Sequence, residues 1–239
     1  MGFESVSRTH VGLRRKINED SVLADPGRGL WAVADGMGGH EAGEIASTMV
    51  TDALRCLPEA RDIDDLTSRA VESLREVNRE LIALARAEDR ETQSTIGTTV
   101  VGLAIADGSF RCFWMGDSRA YRVRDGAIMR ITHDHSLVQE LVDAGMLREE
   151  EADTHEQANL ITRAVGTDEK AEVEIVSGDA RSGDHFLLAS DGLTRVVRDE
   201  ELSAELVRRP PGEAADRLID MVLDRGAPDN VSLIVVKVT

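Results

Sequence analysis

Four short β-rich runs follow one another at residues 98–106, 110–115, 120–124 and 127–131, with Asp107-Gly108 and Asp125-Gly126 set between pairs of them. Asp-Gly tolerates the positive φ angles that tight hairpin turns demand. Strands joined so closely can only fold back as an antiparallel meander, because parallel pairing needs a long crossover between strands. Helical apolar spacing lies on one side of this meander. Ala42, Ile45, Ala46, Met49, Val50, Ala53, Leu54 and Leu57 predict one helix, and Ile63, Leu66, Ala70, Leu74, Val77, Leu81 and Leu84 a second. Further strands are predicted at 173–176, 186–189 and 231–238, with two helices between Asp199 and Arg225 separated at Pro210-Pro211. Strand runs and helix pairs segregated in this way predict an α+β fold with helices covering antiparallel sheets.

The chain has 239 residues, no internal repeat and no Pro/Gly/Ser linker, which predicts a single domain over 1–239. A polar, helix-like stretch from Ser136 loses its apolar patterning after Leu147, and part of it reads as an exposed flap. The formal net charge of −17 argues against nucleic acid and anionic membranes as partners. Cys56 and Cys112 form no CxxC pair, and residues 1–18 carry no apolar leader, so a cytoplasmic protein is expected.

Two other Asp-Gly pairs do not read as hairpins. Asp35-Gly36 closes the apolar run Trp31-Ala32-Val33-Ala34, and Asp191-Gly192 closes the run from Phe186 to Ser190. A carboxylate at the end of a buried strand is costly unless donors or a cation compensate it. Asp229-Asn230 precedes the final apolar strand and is a third acid at a strand boundary. Alone, each reads as a cap or a turn; as a set, they could hold two hard cations. Gly36, Gly38 and Gly39 let backbone carbonyls approach a metal, and His40 is a candidate proton donor. Arg14-Arg15-Lys16 beside Glu19-Asp20 offers a phosphate grip next to acids, or simply a charged loop.

Other chemistries fail on inspection. Gly116-Asp117-Ser118-Arg119 leads into an alternating strand, not the helix of a serine-hydrolase elbow, so Asp117 is its interesting member. Neither cysteine starts a Cys-x5-Arg loop, and Glu44 stands where a zinc-protease helix needs its second histidine. His133-Asp134-His135 reads as a strand-end turn.

In order, Gly12-x-x-Arg15-x-x-Asn18-Glu19-Asp20, Asp35-Gly36-Met37-Gly38-Gly39-His40, Gly97-Thr98-Thr99, Gly116-Asp117-Ser118-Arg119, Asp134-His135-Ser136, Ser190-Asp191-Gly192 and Asp229-Asn230 resemble the protein phosphatase 2C family of metal-dependent serine/threonine phosphatases, in its compact bacterial form. The resemblance implies a four-layer sandwich, with two antiparallel sheets face to face and helix pairs on both outer faces. It implies hydrolysis of phosphoserine and phosphothreonine by a metal-bridging water, with two Mn²⁺ or Mg²⁺ ions and a third, weaker one. Asp35 would bridge the pair, the Gly36 carbonyl would bind the second ion, and Asp191 and Asp229 would complete the first. Glu19 and Asp20 would act through metal-bound waters, Arg15 would hold the phosphate, and His40 would protonate the leaving group. Asp117 would hold the third ion with Asp191. The flap would span 136–166. Phosphorylated proteins and a cognate serine/threonine kinase would be the partners, and a monomer the expected state. Many members carry an acid four residues after the Asp of Ser-Asp-Gly; here that residue is Arg195, a cation that competes with the third metal. A non-catalytic binding module and a hydrolase of small phosphate esters are the alternatives.

Overall fold

The computed structural model describes residues 1–38, 42–88, 96–152 and 155–239. In chain order, β1 (Phe3–His10), β2 (Asp20–Asp25) and β3 (Leu30–Met37) precede α1 (Ala42–Arg55) and α2 (Ile63–Glu88). The meander follows as β4 (Gly97–Thr98), β5 (Val100–Ala106), β6 (Ser109–Met115), β7 (Arg119–Arg124) and β8 (Ala127–Arg130). After α3 (Leu137–Asp143) and α4 (Glu149–Ala152) come β9 (Glu174–Asp179), β10 (His185–Ala189), the one-turn α5 (Asp191–Thr194), α6 (Asp199–Arg208), α7 (Pro211–Asp224) and β11 (Val231–Val238).

One antiparallel sheet has the order β1-β11-β10-β7-β8; the other runs β2-β3-β5-β6-β9, with β4 paired to β3. The α+β four-layer sandwich is therefore as expected. The apolar face of α1 and α2 (Ala46, Val50, Leu54, Leu66, Leu74, Leu81) packs with outward positions of the second sheet, such as Leu30, Ala32 and Ala34. Leu202, Leu206, Leu218 and Val222 of α6 and α7 likewise cover Leu187, Leu233 and Val235 of the first sheet. Between the sheets lie Trp31, Val33, Val101, Leu103, Phe186, Leu188, Ile234 and Val236. Both faces of each central strand are thus buried, which is why their sequences read as nearly continuous apolar runs. Phe110 and Phe186 meet edge to face across the layers, ring centroids 5.2 Å apart.

Local chemistry sets the boundaries. Asp107, Gly108, Asp125 and Gly126 all have positive φ, as their hairpins require. The Asp62 carboxylate accepts from the Asp65 N–H at 2.8 Å and starts α2. Pro211 begins α7, where its missing N–H costs nothing.

Three features depart from the sequence reading. Strands β1 and β2 were not expected. They sit at the edges of their sheets and are mostly half-buried, so backbone pairing holds them and no apolar run marks them. The run at 98–106 is broken at Thr99, whose N–H donates to the Asp35 carbonyl at 2.8 Å. Finally, β3 continues through Asp35 to Met37, so Asp35 lies inside the strand. Among the described residues the stretch after Ser136 holds two short helices, α3 and α4; Ser136 caps α3, and Ser136 and Ile161 form an isolated bridge.

Candidate active site

Side chains alternate across a strand, so residues of one parity share a face. Trp31 and Val33 face the layer between the sheets, and Asp35 is next on that face. The same continuation leads from Phe186 and Leu188 to Ser190, and from Val236 and Ile234 to Ser232 and Asn230. Asp20, the register partner of Asp35 across β2 and β3, joins them. At this end of the sandwich the inter-sheet layer turns from apolar to polar, strand by strand. Antiparallel pairing of β10 with β11 brings Asp191, just past β10, beside Asp229, just before β11.

The polar row is tightly held. Ser190 Oγ donates to Asp20 Oδ2 at 2.9 Å and accepts from the Ser232 N–H at 2.9 Å. Thr99 Oγ1 accepts from the Asp35 N–H at 3.1 Å, Thr98 Oγ1 donates to the Asp35 carbonyl at 2.9 Å, and Thr99 and Ser118 hydroxyls meet at 2.7 Å. Buried Asn230 accepts from the Glu19 N–H at 2.8 Å and donates to the carbonyls of Val11 at 2.8 Å and Ile17 at 2.9 Å. It therefore pins the 11–19 loop, with Arg15 and Glu19, to the start of β11. Gly36 donates to the Glu19 carbonyl at 3.1 Å, and a Cβ there would lie 2.0 Å from the Gly43 carbonyl oxygen. Only glycine fits where these backbones converge.

The electrostatics are those of crowded acids. Burial, then the charges of Asp20, Asp191, Asp117 and Asp229, push Asp35 well above the ordinary carboxylate range. Burial raises Asp20 to about 6 against the hydrogen bonds from Ser232 and Ser190. It raises Asp117 to about 7, with nearby Asp191 adding and Arg195 opposing. Asp191 is raised by burial against Arg195, and Glu19 by burial against Arg15. Glu19 Oε1, Asp20 Oδ1 and Asp117 Oδ1 are buried without a hydrogen-bond partner. Such oxygens are costly to leave unmatched, and an all-oxygen set of this kind suits Mg²⁺ or Mn²⁺. Among the described residues, no three Asp, Glu, His or Cys side chains form a ready-made cage. Two guanidiniums lie on the acids instead: Arg15 donates to Asp229 at 2.7 Å, and Arg195 to Asp117 at 2.9 Å.

Asp35, Asp20, Asp191, Asp229 and Asp117 are thus brought together, with Gly36, Glu19 and Arg15 at their edge. Arg14 is exposed, and Arg15 is the arginine turned to the acids. His40 lies outside the described residues. The His133-Asp134-His135 turn is structural: Arg119 grips Asp134 at 2.7 Å, while His135 stacks on Trp114 and accepts from the Gly116 N–H at 3.1 Å. The sequence reading did not single out Ser190 or Ser232 as partners of Asp20. Its usable signal was parity, since each inward apolar series ends in a polar residue.

The chain matches the family model described as Protein phosphatase 2C over residues 11–223. It is 40% identical over 232 residues to "Serine/threonine protein phosphatase PstP" of Mycobacterium tuberculosis, covering 97% of this chain and 44% of that protein. The chain therefore spans less than half the length of that relative. Among solved structures, "PppA, a key regulatory component of T6SS in Pseudomonas aeruginosa" is similar with a TM-score of 0.91 and 38% identity, covering 100% of this chain and 99% of the other. The catalytic domain of PstP "in complex with 2 Manganese ions" gives a TM-score of 0.88 at 37% identity, covering 99% of both chains.

Proposed function

The chain belongs to the protein phosphatase 2C family, and on that premise we propose that it is a metal-dependent protein serine/threonine phosphatase. The observation that carries this reading is the meeting of Asp20, Asp35, Asp117, Asp191 and Asp229 at one end of the inter-sheet layer, with buried oxygens left unmatched. Asp35, Asp191, Asp229 and the Gly36 carbonyl would hold two Mn²⁺ or Mg²⁺ ions, and Glu19 and Asp20 would hold their water ligands. When bound, the pair supplies Lewis acidity that makes water nucleophilic near neutral pH and offsets phosphoryl charge.

The chain's own residues supply the rest. Arg15 is half-exposed at the mouth of the site, so an incoming phosphate can take its N–H groups from Asp229. Asn230 fixes the loop that carries Arg15, and positioning of this kind is much of phosphoryl-transfer catalysis. His40 would give its proton to the leaving alkoxide. The substrates would be phosphorylated proteins, including a cognate serine/threonine kinase and its targets. No described helix is long and apolar enough to cross a membrane. A cytoplasmic monomer, one domain with its flap at 136–166, completes the proposal.

The test is hydrolysis of a phosphothreonine peptide. Turnover with Mn²⁺, abolished by chelation and by Asp191→Asn, is expected; no turnover with either Mn²⁺ or Mg²⁺ overturns the reading.

A further inference from the structure

Arg195 stands where three parts of the molecule meet. It lies at the end of α5, one turn after Asp191, and its Nε is 3.0 Å from Asp191 Oδ2. One terminal nitrogen donates to Asp117 Oδ2 at 2.9 Å and to the carbonyl of Ala158 at 3.0 Å. Asp117 is 4% exposed, and its other oxygen has no hydrogen-bond partner. Ala158 belongs to the turn that closes the segment after α4. Arg195 and Ala158 line a cavity of about 740 Å³ that also contains Asp117, Asp191 and Ser136. A planar guanidinium can serve two carboxylates and a carbonyl at once because its donors are fixed in a fork. A divalent cation could neutralise Asp117 and Asp191 in its place, but it could not occupy the same space, and it has no N–H to give Ala158.

We propose that Arg195 is a positioning residue that stands in for a cation between Asp117 and Asp191 and fastens the Ala158 turn onto this pair. The contact shares Asp191 with the two-ion centre, through Oδ2 of that carboxylate. In this chain the third ion is replaced by a side chain that also holds the Ala158 turn. The proposal rests on the phosphatase reading, since it assumes that Mn²⁺ binds among these acids.

The test compares the full chain with Arg195→Ala by two readouts other than turnover. The first is Mn²⁺ stoichiometry by calorimetric titration; the second is hydrogen exchange at the Ala158 and Leu160 amides in chelated protein. Wild type is expected to take up two ions and Arg195→Ala three. Exchange should be about tenfold faster in Arg195→Ala, the factor expected when one charge-assisted hydrogen bond that holds a turn is lost. Equal stoichiometry or unchanged exchange overturns the proposal. Should Arg195→Ala not fold with its acids uncovered, the charge-balanced double variant Asp117→Asn/Arg195→Met gives the second readout, and unchanged exchange there is equally fatal. Wild type that binds three ions overturns the proposal alone, whereas wild type that binds none also overturns the phosphatase reading.

Discussion

Asp20 and Asp35 stand opposite one another across the β2–β3 pair, two carboxylates on one face at one level of the sheet. Like charges so placed destabilise a sheet. The serine hydroxyl on Asp20 and the threonines on the Asp35 backbone hold the arrangement without neutralising it. The fold is thus strained by its own acids in just the place where a cation would relieve it.

Asp35→Asn should separate stability from function. In the presence of chelator its melting temperature should exceed that of wild type, because the central charge of the cluster is gone. Its turnover of a phosphothreonine peptide with Mn²⁺ should fall by about 10²–10³-fold. Parallel thermal melts and kinetics check both signs; a loss of stability in chelator would count against the crowding argument.

The raised carboxylates fix the sign of the pH dependence. With Asp20 near 6 and Asp117 near 7, the folded chelated protein binds more protons than the unfolded chain between about pH 4 and pH 7. Stability from these groups is present at the acid end and is lost as pH rises through that window. Chelated protein should therefore melt several degrees lower at pH 8 than at pH 5.5, and saturating Mn²⁺ should abolish the difference. A chelated protein that is more stable at pH 8 would contradict this.

Arg15→Ala should raise KM for a phosphopeptide by about tenfold with a smaller change in kcat, since it removes a phosphate contact and leaves the acids in place. Arg14→Ala should stay within about twofold of wild type. Steady-state kinetics of the two variants decide which arginine faces the substrate.

Asn230→Ala removes the side chain that satisfies the Glu19 N–H and two carbonyls of the 11–19 loop. Leaving these groups unmatched should cost roughly 2–3 kcal/mol. For a chain of this size that is about 5–10 °C in melting temperature. Denaturation in saturating Mn²⁺ should show the loss, and activity should fall with it as Arg15 and Glu19 lose their anchor.

Much of this was legible in the sequence. The helical spacing from Ala46 to Leu54 and from Leu66 to Leu81 gives α1 and α2 directly, and Asp107-Gly108 and Asp125-Gly126 give the hairpins of the meander. Asp35, Asp191 and Asp229 stood out because each sits where an apolar strand becomes polar. Strands β1 and β2 did not, since edge strands are held by backbone pairing and carry little apolar signal. Nor did the union of Ser190, Ser232 and Asp20, or of Asn230 and Glu19, because these bonds span 170 and 211 residues and leave no local trace. Arg195 was visible as a misplaced cation, but its hold on Ala158 appears only when the chain is folded.

Anomalous diffraction at the manganese edge, from crystals of the full chain equilibrated with Mn²⁺, tests the central claim most directly. Two peaks enclosed by the carboxylates of Asp35, Asp191 and Asp229 are the expected result. Crystals that show these three side chains ordered, with manganese elsewhere or nowhere, would contradict it.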